Sequence, residues 1–230
     1  MNPNPPLTAS HCNSTIMNRI TIAFLAVLVL VAAGCNHGIV GNGHIVTDTR
    51  PVGDFSEIEA NGGFQIDWRT GSPSLSITTD ENLLSHITTE ITDHRLRLHS
   101  HGNIWSRHGI HVAVSSPTRS GAKLTGAAKL IASQLSGNSF AVESTGAAKV
   151  TLDGAVDDLI TDMTGASKLD ADSLRTKTAS ISSTGASKAD VNVSESLRVS
   201  ITGAGKVTYS GNPPKVEKHV SGAGTIRHKE

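Results

Sequence analysis

The chain has 230 residues and only two cysteines, Cys12 and Cys35. Aromatic side chains make up 3% of it: four Phe, two Trp and one Tyr. Formal net charge is zero. Each scarcity excludes something. Two cysteines cannot build a disulfide framework, so stability must come from packing. Few aromatics argue against a broad core of large rings and fit a thin interior. Balanced charge gives no overall field toward nucleic acid. Apolar residues do not recur at the three- and four-residue spacing of a helical stripe, which excludes a helix bundle. There is no nucleophile elbow, no phosphate-binding P-loop and no His-Glu-x-x-His zinc motif.

What is present is a repeated pentapeptide. It reads Thr125-Gly126-Ala127-Ala128-Lys129, Thr145-Gly146-Ala147-Ala148-Lys149, Thr164-Gly165-Ala166-Ser167-Lys168, Thr184-Gly185-Ala186-Ser187-Lys188 and Thr202-Gly203-Ala204-Gly205-Lys206. A decayed copy, Ser221-Gly222-Ala223-Gly224-Thr225, follows. The steps between leading residues are 20, 19, 20, 18 and 19. A fixed period of that size marks a solenoid.

Between the pentapeptides, apolar or small residues stand at every second place: Phe140 and Val142, Leu159 and Met163, Ala179 and Ile181, Leu197, Val199 and Ile201. After each Lys the alternation resumes, as Val150 and Leu152, Leu169 and Ala171, Val207 and Tyr209. That is the period of a strand. Gly-Ala belongs at a corner, because glycine accepts positive φ. One unit cannot bury its own apolar face, whereas stacked units can. The chain therefore reads as all-β: a right-handed parallel β-helix-like solenoid with repeats of about 19–20 residues and a less regular β N-terminal half. A β-sandwich of similar short strands is the competing architecture.

The N-terminal 34 residues read as a signal segment. Arg19 precedes an apolar stretch, Ile20 to Ala33, which is too short for a membrane span of about 20 residues. Residues 1–16 are Pro-rich and polar, so Met17 competes with Met1 as the initiator. The run Ala32-Ala33-Gly34-Cys35 resembles the lipobox of bacterial lipoproteins, with Ala32 where Leu is usual. The resemblance implies cleavage before Cys35 and lipid modification of that cysteine. Cleavage would leave one cysteine and, with Arg19 gone, a net charge of −1. Residues 35–50 then form a lipid-anchored tether and the first strand, the tether made flexible by Gly38, Gly41 and Gly43. Residues 51–230 form the solenoid, with regular repeats over 120–226. Strands are predicted at Phe55–Ala60, Phe64–Arg69, Leu75–Thr79, His86–Thr92, Arg95–Ser100 and Ile110–Ser115, with a helical turn at Asp80–Leu84. Asn212-Pro213-Pro214 suits a sheet edge, and the charged tail from Arg227 to Glu230 should be solvated.

Val40-Gly41-Asn42-Gly43, Arg50-Pro51-Val52, Phe55-Ser56-Glu57-Ile58, Gly62-Gly63-Phe64-Gln65-Ile66, Asp80-Glu81-Asn82-Leu83 and the Gly-Ala-Gly/Ser-Lys corners together resemble the putative auto-transporter adhesin head domain, or GIN domain, of bacterial envelope lipoproteins. The resemblance runs from about Val40 to the C-terminus. It implies a β-solenoid and brings with it no catalytic residues.

Three groups are candidate sites. Lys129, Lys149, Lys168, Lys188 and Lys206 hold one repeat position and would form a ladder that a polyanion could neutralise. The plainer expectation is solvation, with Asp153, Asp170, Asp172 and Asp190 as partners. Thr125, Thr145, Thr164, Thr184 and Thr202 form a second ladder, read as hydroxyls closing their own turns. His99 and His101 would share a strand face at metal-chelating spacing, although no cysteine supports them and no metal or other cofactor is expected. Asp157, Asp158 and Asp162 lack the fixed pairing a glycosidase needs. The expected role is non-enzymatic binding in the cell envelope, outer-membrane or periplasm-facing. The expected partners are the membrane, through the lipid, and a polyanionic glycan or envelope proteins, with no nucleic acid. An envelope scaffold is the alternative, and a carbohydrate-active enzyme the third reading.

Overall fold

The computed structural model describes residues 38–229. The N-terminal strands are β1 (Ile39–Val40) and β2 (Ile45–Arg50). Then come β3 (Glu57–Asn61), β4 (Phe64–Thr70), β5 (Ser74–Asp80), a 3-10 turn Glu81–His86, β6 (Ile87–Thr92), β7 (Arg95–Ser100), β8 (Ile104–Trp105), β9 (Ile110–Ser116) and β10 (Gly121–Gly126). Four long bent strands follow, β11 (Lys129–Gly146), β12 (Lys149–Gly165), β13 (Lys168–Gly185) and β14 (Lys188–Gly203). The last three are β15 (Lys206–Ser210), β16 (Lys215–Gly222) and β17 (Thr225–His228).

The regular half is a β-solenoid. β10 to β15 pair in parallel, each repeat lying on the one before with Thr over Thr, Gly over Gly and Lys over Lys. The corner explains why glycine recurs. Gly146, Gly165, Gly185, Gly203 and Gly222 all have φ between 106° and 115°. A Cβ on any of them would come within 2.5–2.6 Å of the carbonyl oxygen of the glycine one coil earlier. At the first four of these corners that carbonyl accepts instead from the alanine after the glycine, as in Ala166 N to Gly146 O and Ala186 N to Gly165 O, both 2.8 Å. The corner thus needs positive φ and an absent side chain together.

The interior is narrow and filled by ladders. Leu130, Val150, Leu169, Ala189 and Val207 form one inward row. Phe140, Leu159, Ala179 and Leu197 form another, and all nine are buried. Arg119 is also buried, which the sequence does not signal. Its guanidinium donates to the carbonyls of Trp68, Ser133 and Gln134 and to Thr70 Oγ1, at 2.6–3.0 Å. Gln134 has a φ of 57°, and its N–H donates to Asp153 Oδ1 at 2.7 Å. Burial pulls the Arg119 guanidinium below its ordinary value, while Asp153 opposes the shift.

The N-terminal half is stacked out of sequence order. β7 and β9 form a base coil, on which β3 and β4 lie in parallel, and β10 and β11 lie on those. Gly62 is the corner beneath Gly126. β5 and β6 run antiparallel to β9 and β7, and β2 antiparallel to β5, so the base is closed by hairpin-like strands. At the other end, Lys218 occupies the row that Val142, Ile181 and Val199 fill with inward apolar side chains. Its ammonium lies 5.3 Å from the Tyr209 ring, and His228 packs on that ring at 4.9 Å. A cation in an inward place blunts an edge strand.

One expectation needs correction. Residues 38–44 are not a flexible tether. Ile39 N and Gly41 N donate to the carbonyls of Asn103 and Trp105, both at 2.8 Å. Asn82 receives Asn42 N at 2.9 Å and donates to Val40 O at 2.9 Å. Buried Asp80 accepts from Gly43 N at 2.6 Å and from Ser106 Oγ. A Cβ on Gly41 would strike the Asp80 carboxylate, so that glycine serves close approach and not mobility. The charged C-terminal run is exposed, as expected, and is also held in place: β17 pairs with β15, and Lys229 Nζ lies 2.8 Å from Asp172 Oδ2.

Gly165→Ala should lower stability by at least about 2 kcal/mol, read as a drop in urea midpoint, because it adds backbone strain to a clash with Gly146 O. Arg119→Met, which keeps the stem and removes the donors, should cost about 3 kcal/mol in the same assay. The clasp around Asp80 has a pH signature. The Ser106 hydroxyl chiefly, then the Gly43 amide, hold its carboxyl below the ordinary 3.8, against the opposing effect of burial. The stability it adds is complete above that value and lost as pH falls through the depressed folded value. The Gly43 amide resonance should therefore move only below about pH 3.8, and Asp80→Asn should abolish the transition.

Candidate functional site

The five lysines come together as expected. Lys129, Lys149, Lys168, Lys188 and Lys206 are successive partners in one parallel ladder. Backbone bonds fix each at the first place after a corner: Lys149 N to Ala128 O and Lys188 N to Ser167 O, both 2.9 Å. Four strand spacings make the row about 19 Å long. Toward the base it continues through Gln65 to His111.

The aspartates serve the row less than expected. Lys188 Nζ pairs with Asp190 Oδ2 at 3.0 Å. Asp153 is occupied by the Gln134 amide. Asp172 is taken by Lys229 and by Ser210 Oγ, whose hydrogen bonds hold its carboxyl below the usual range. Among the described residues, Asp170 has no ion pair, and neither have Lys129, Lys149, Lys168 and Lys206.

The threonine ladder is also in register, from Thr125 through Thr145, Thr164 and Thr184 to Thr202. Among the described residues its hydroxyls do not close the turns. The closing bonds are made by the backbone, as in Ala147 N to Gly126 O at 2.9 Å.

His99 and His101 do meet, with ring centroids 4.6 Å apart at 82°. His101 Nε2 lies 3.1 Å from Thr88 Oγ1. Among the described residues no group of three or more His, Cys, Asp or Glu is placed to hold a metal ion. The acids are engaged singly: Asp157 with Lys177 at 2.8 Å, and Asp158 by the Thr178 hydroxyl. Asp157 raises the Lys177 ammonium above the ordinary lysine range. These two acids line separate surface grooves, of about 350 and 420 Å³. They do not flank one cleft as a glycosidase pair would.

Trp105 is not among the candidate site residues that the sequence offers. It sits in the expanded corner of the base coil and is 54% exposed, whereas Phe55, Phe64, Trp68, Phe140 and Tyr209 are buried. The signal was its setting: Asn103 before it and Ser106-Arg107-His108-Gly109 after it offer no alternation that would carry a side chain inward. Cys35 lies outside the described residues.

No curated protein matches the sequence. Solved structures do match the fold. A putative adhesin from Bacteroides fragilis is 21% identical, with a TM-score of 0.68 over 84% of this chain and 100% of that one. A protein from Parabacteroides distasonis, described as a putative lipid binding protein, is 18% identical, with a TM-score of 0.51 over 84% of this chain and 99% of that one. At such identities the likeness concerns the fold. The sequence family described as "Putative auto-transporter adhesin, head GIN domain" matches residues 54–213, well over half of the chain, and the chain belongs to that family.

Proposed function

We propose that the chain is an exported cell-envelope protein, lipid-anchored at Cys35, that binds a repeating polyanion such as an acidic glycan along its lysine ladder. The observation that carries this reading is the ladder itself: five lysines at successive places of one parallel ladder, four of them without an ion pair among the described residues. Like charges about 5 Å apart repel by roughly 1 kcal/mol per pair in water, and a linear ligand with repeated anionic groups removes that repulsion along the whole row. The row needs no enclosed pocket, in keeping with the family's adhesin description. Anchoring is supported by the Ala32-Ala33-Gly34-Cys35 pattern, and an envelope location follows from it. Lys218 and His228 at the last strands weigh against a scaffold built by end-to-end strand addition.

The full-length lipidated protein in detergent should bind an immobilised acidic polysaccharide and release it as salt is raised. Replacing Lys149, Lys168 and Lys206 by Ala together should weaken binding about tenfold, at about 0.5 kcal/mol each. Lys177→Ala, which removes a cation already paired with Asp157, should change little. Equal binding to a neutral polysaccharide, or indifference to the triple replacement, would remove the ladder from the function.

A further inference from the structure

The clasp that pins residues 38–44 also gathers exposed apolar side chains. Val40 and Trp105 are register partners in the two-stranded parallel ladder of β1 and β8, so their side chains lie on the same side. They are 58% and 54% exposed. Ile45, 38% exposed, is the register partner of Asp80. Asp80 in turn holds the Gly43 amide and the hydroxyl of Ser106, the residue after Trp105. Three of the five exposed large apolar side chains among the described residues are thus organised around one carboxylate. Scattered singly they would need no account, but gathered at one end of the fold they do.

We propose that this patch rests on the surface of the lipid bilayer that holds the anchor. The inference rests on the anchoring reading above and uses the length of chain before the clasp. Among the described residues the first backbone bond is at Ile39, four residues after Cys35, a reach of at most about 14 Å. A lipid on Cys35 therefore keeps the clasp beside the membrane, because the glycines that look like a long leash are already tied down. The chemistry of the patch suits that neighbour. Tryptophan is the side chain favoured at the boundary between water and hydrocarbon, and Val40 and Ile45 supply aliphatic surface that a sugar would not reward. Arg107, exposed and without an ion pair among the described residues, stands two places after Trp105 and can meet an anionic headgroup.

The test uses the full-length lipidated protein in vesicles of phosphatidylethanolamine and phosphatidylglycerol. Flotation with the vesicles reports the anchor. Iodide quenching reports the patch, because Trp68 is buried and hidden from iodide while Trp105 is not. The expected result is that the protein floats and the iodide-quenchable emission present in detergent is lost on vesicles, with quenching by bromine-labelled acyl chains in its place. Val40→Asp with Ile45→Asp should still float and should regain iodide quenching, with unchanged Trp68 emission as the check on folding. Flotation with Trp105 still open to iodide would overturn the membrane contact and leave the anchor standing. Failure to float would overturn both. Protection of Trp105 by a soluble glycan and not by vesicles would overturn the contact in favour of a sugar site.

Discussion

The corner carbonyl of each glycine faces a space that only another glycine can leave empty. Gly146 O receives Ala166 N–H because no Cβ stands at Gly165, and the same holds at Gly185 and Gly203. This single constraint fixes the register of every coil on the one below. Slipping the pairing by one residue would bring a corner alanine's side chain onto a carbonyl and turn the inward Val, Leu and Ile rows to solvent. The lysine and threonine rows are consequences: each stands one place outside a corner whose position is set by backbone geometry.

Regular stacking creates a second problem, since a parallel stack ends in unpaired strands. The two ends solve it differently. At the base the chain folds back, so that β5, β6 and β2 close the sheets with antiparallel pairs. At the far end the sequence of the repeat is spoiled on purpose: Lys218 and His228 replace apolar residues at inward positions and pack on Tyr209. The core keeps its period only between these two closures.

This explains what could be read from the sequence. The solenoid was legible because glycine spacing, two-residue alternation and the Lys register all report the same local unit. The separate strands of the N-terminal half were also legible to within a residue or two, since each is bounded by its own turn. Their order was not. β10 lies on β3, and their paired residues Gly121 and Glu57 are separated by an entire base coil of intervening chain, so no neighbouring residues encode the contact. The Gly-Asn-Gly stretch misled for the same reason. Its glycines suit flexibility when read locally, and only the distant Asp80, Asn82 and Trp105 show that they serve close packing. Arg119 stayed hidden because a buried arginine has no periodic signature.

The placement of the two candidate surfaces follows from the stacking. The clasp belongs to the base coil, while the lysine row begins at Lys129, two strands above β9, and ends at Lys206, six strands above it. Measured along the stack, these are about 10 and 29 Å from the base. At physiological salt the field of a charged surface decays within about 8 Å, so headgroups beneath the clasp would attract Arg107 and leave most of the row unscreened by lipid. A protein that used one cationic face for both bilayer and ligand would make the two compete. On the anchoring proposed above, the short leash would assign the base to the membrane, and the coil period would carry the row of charges out of its reach.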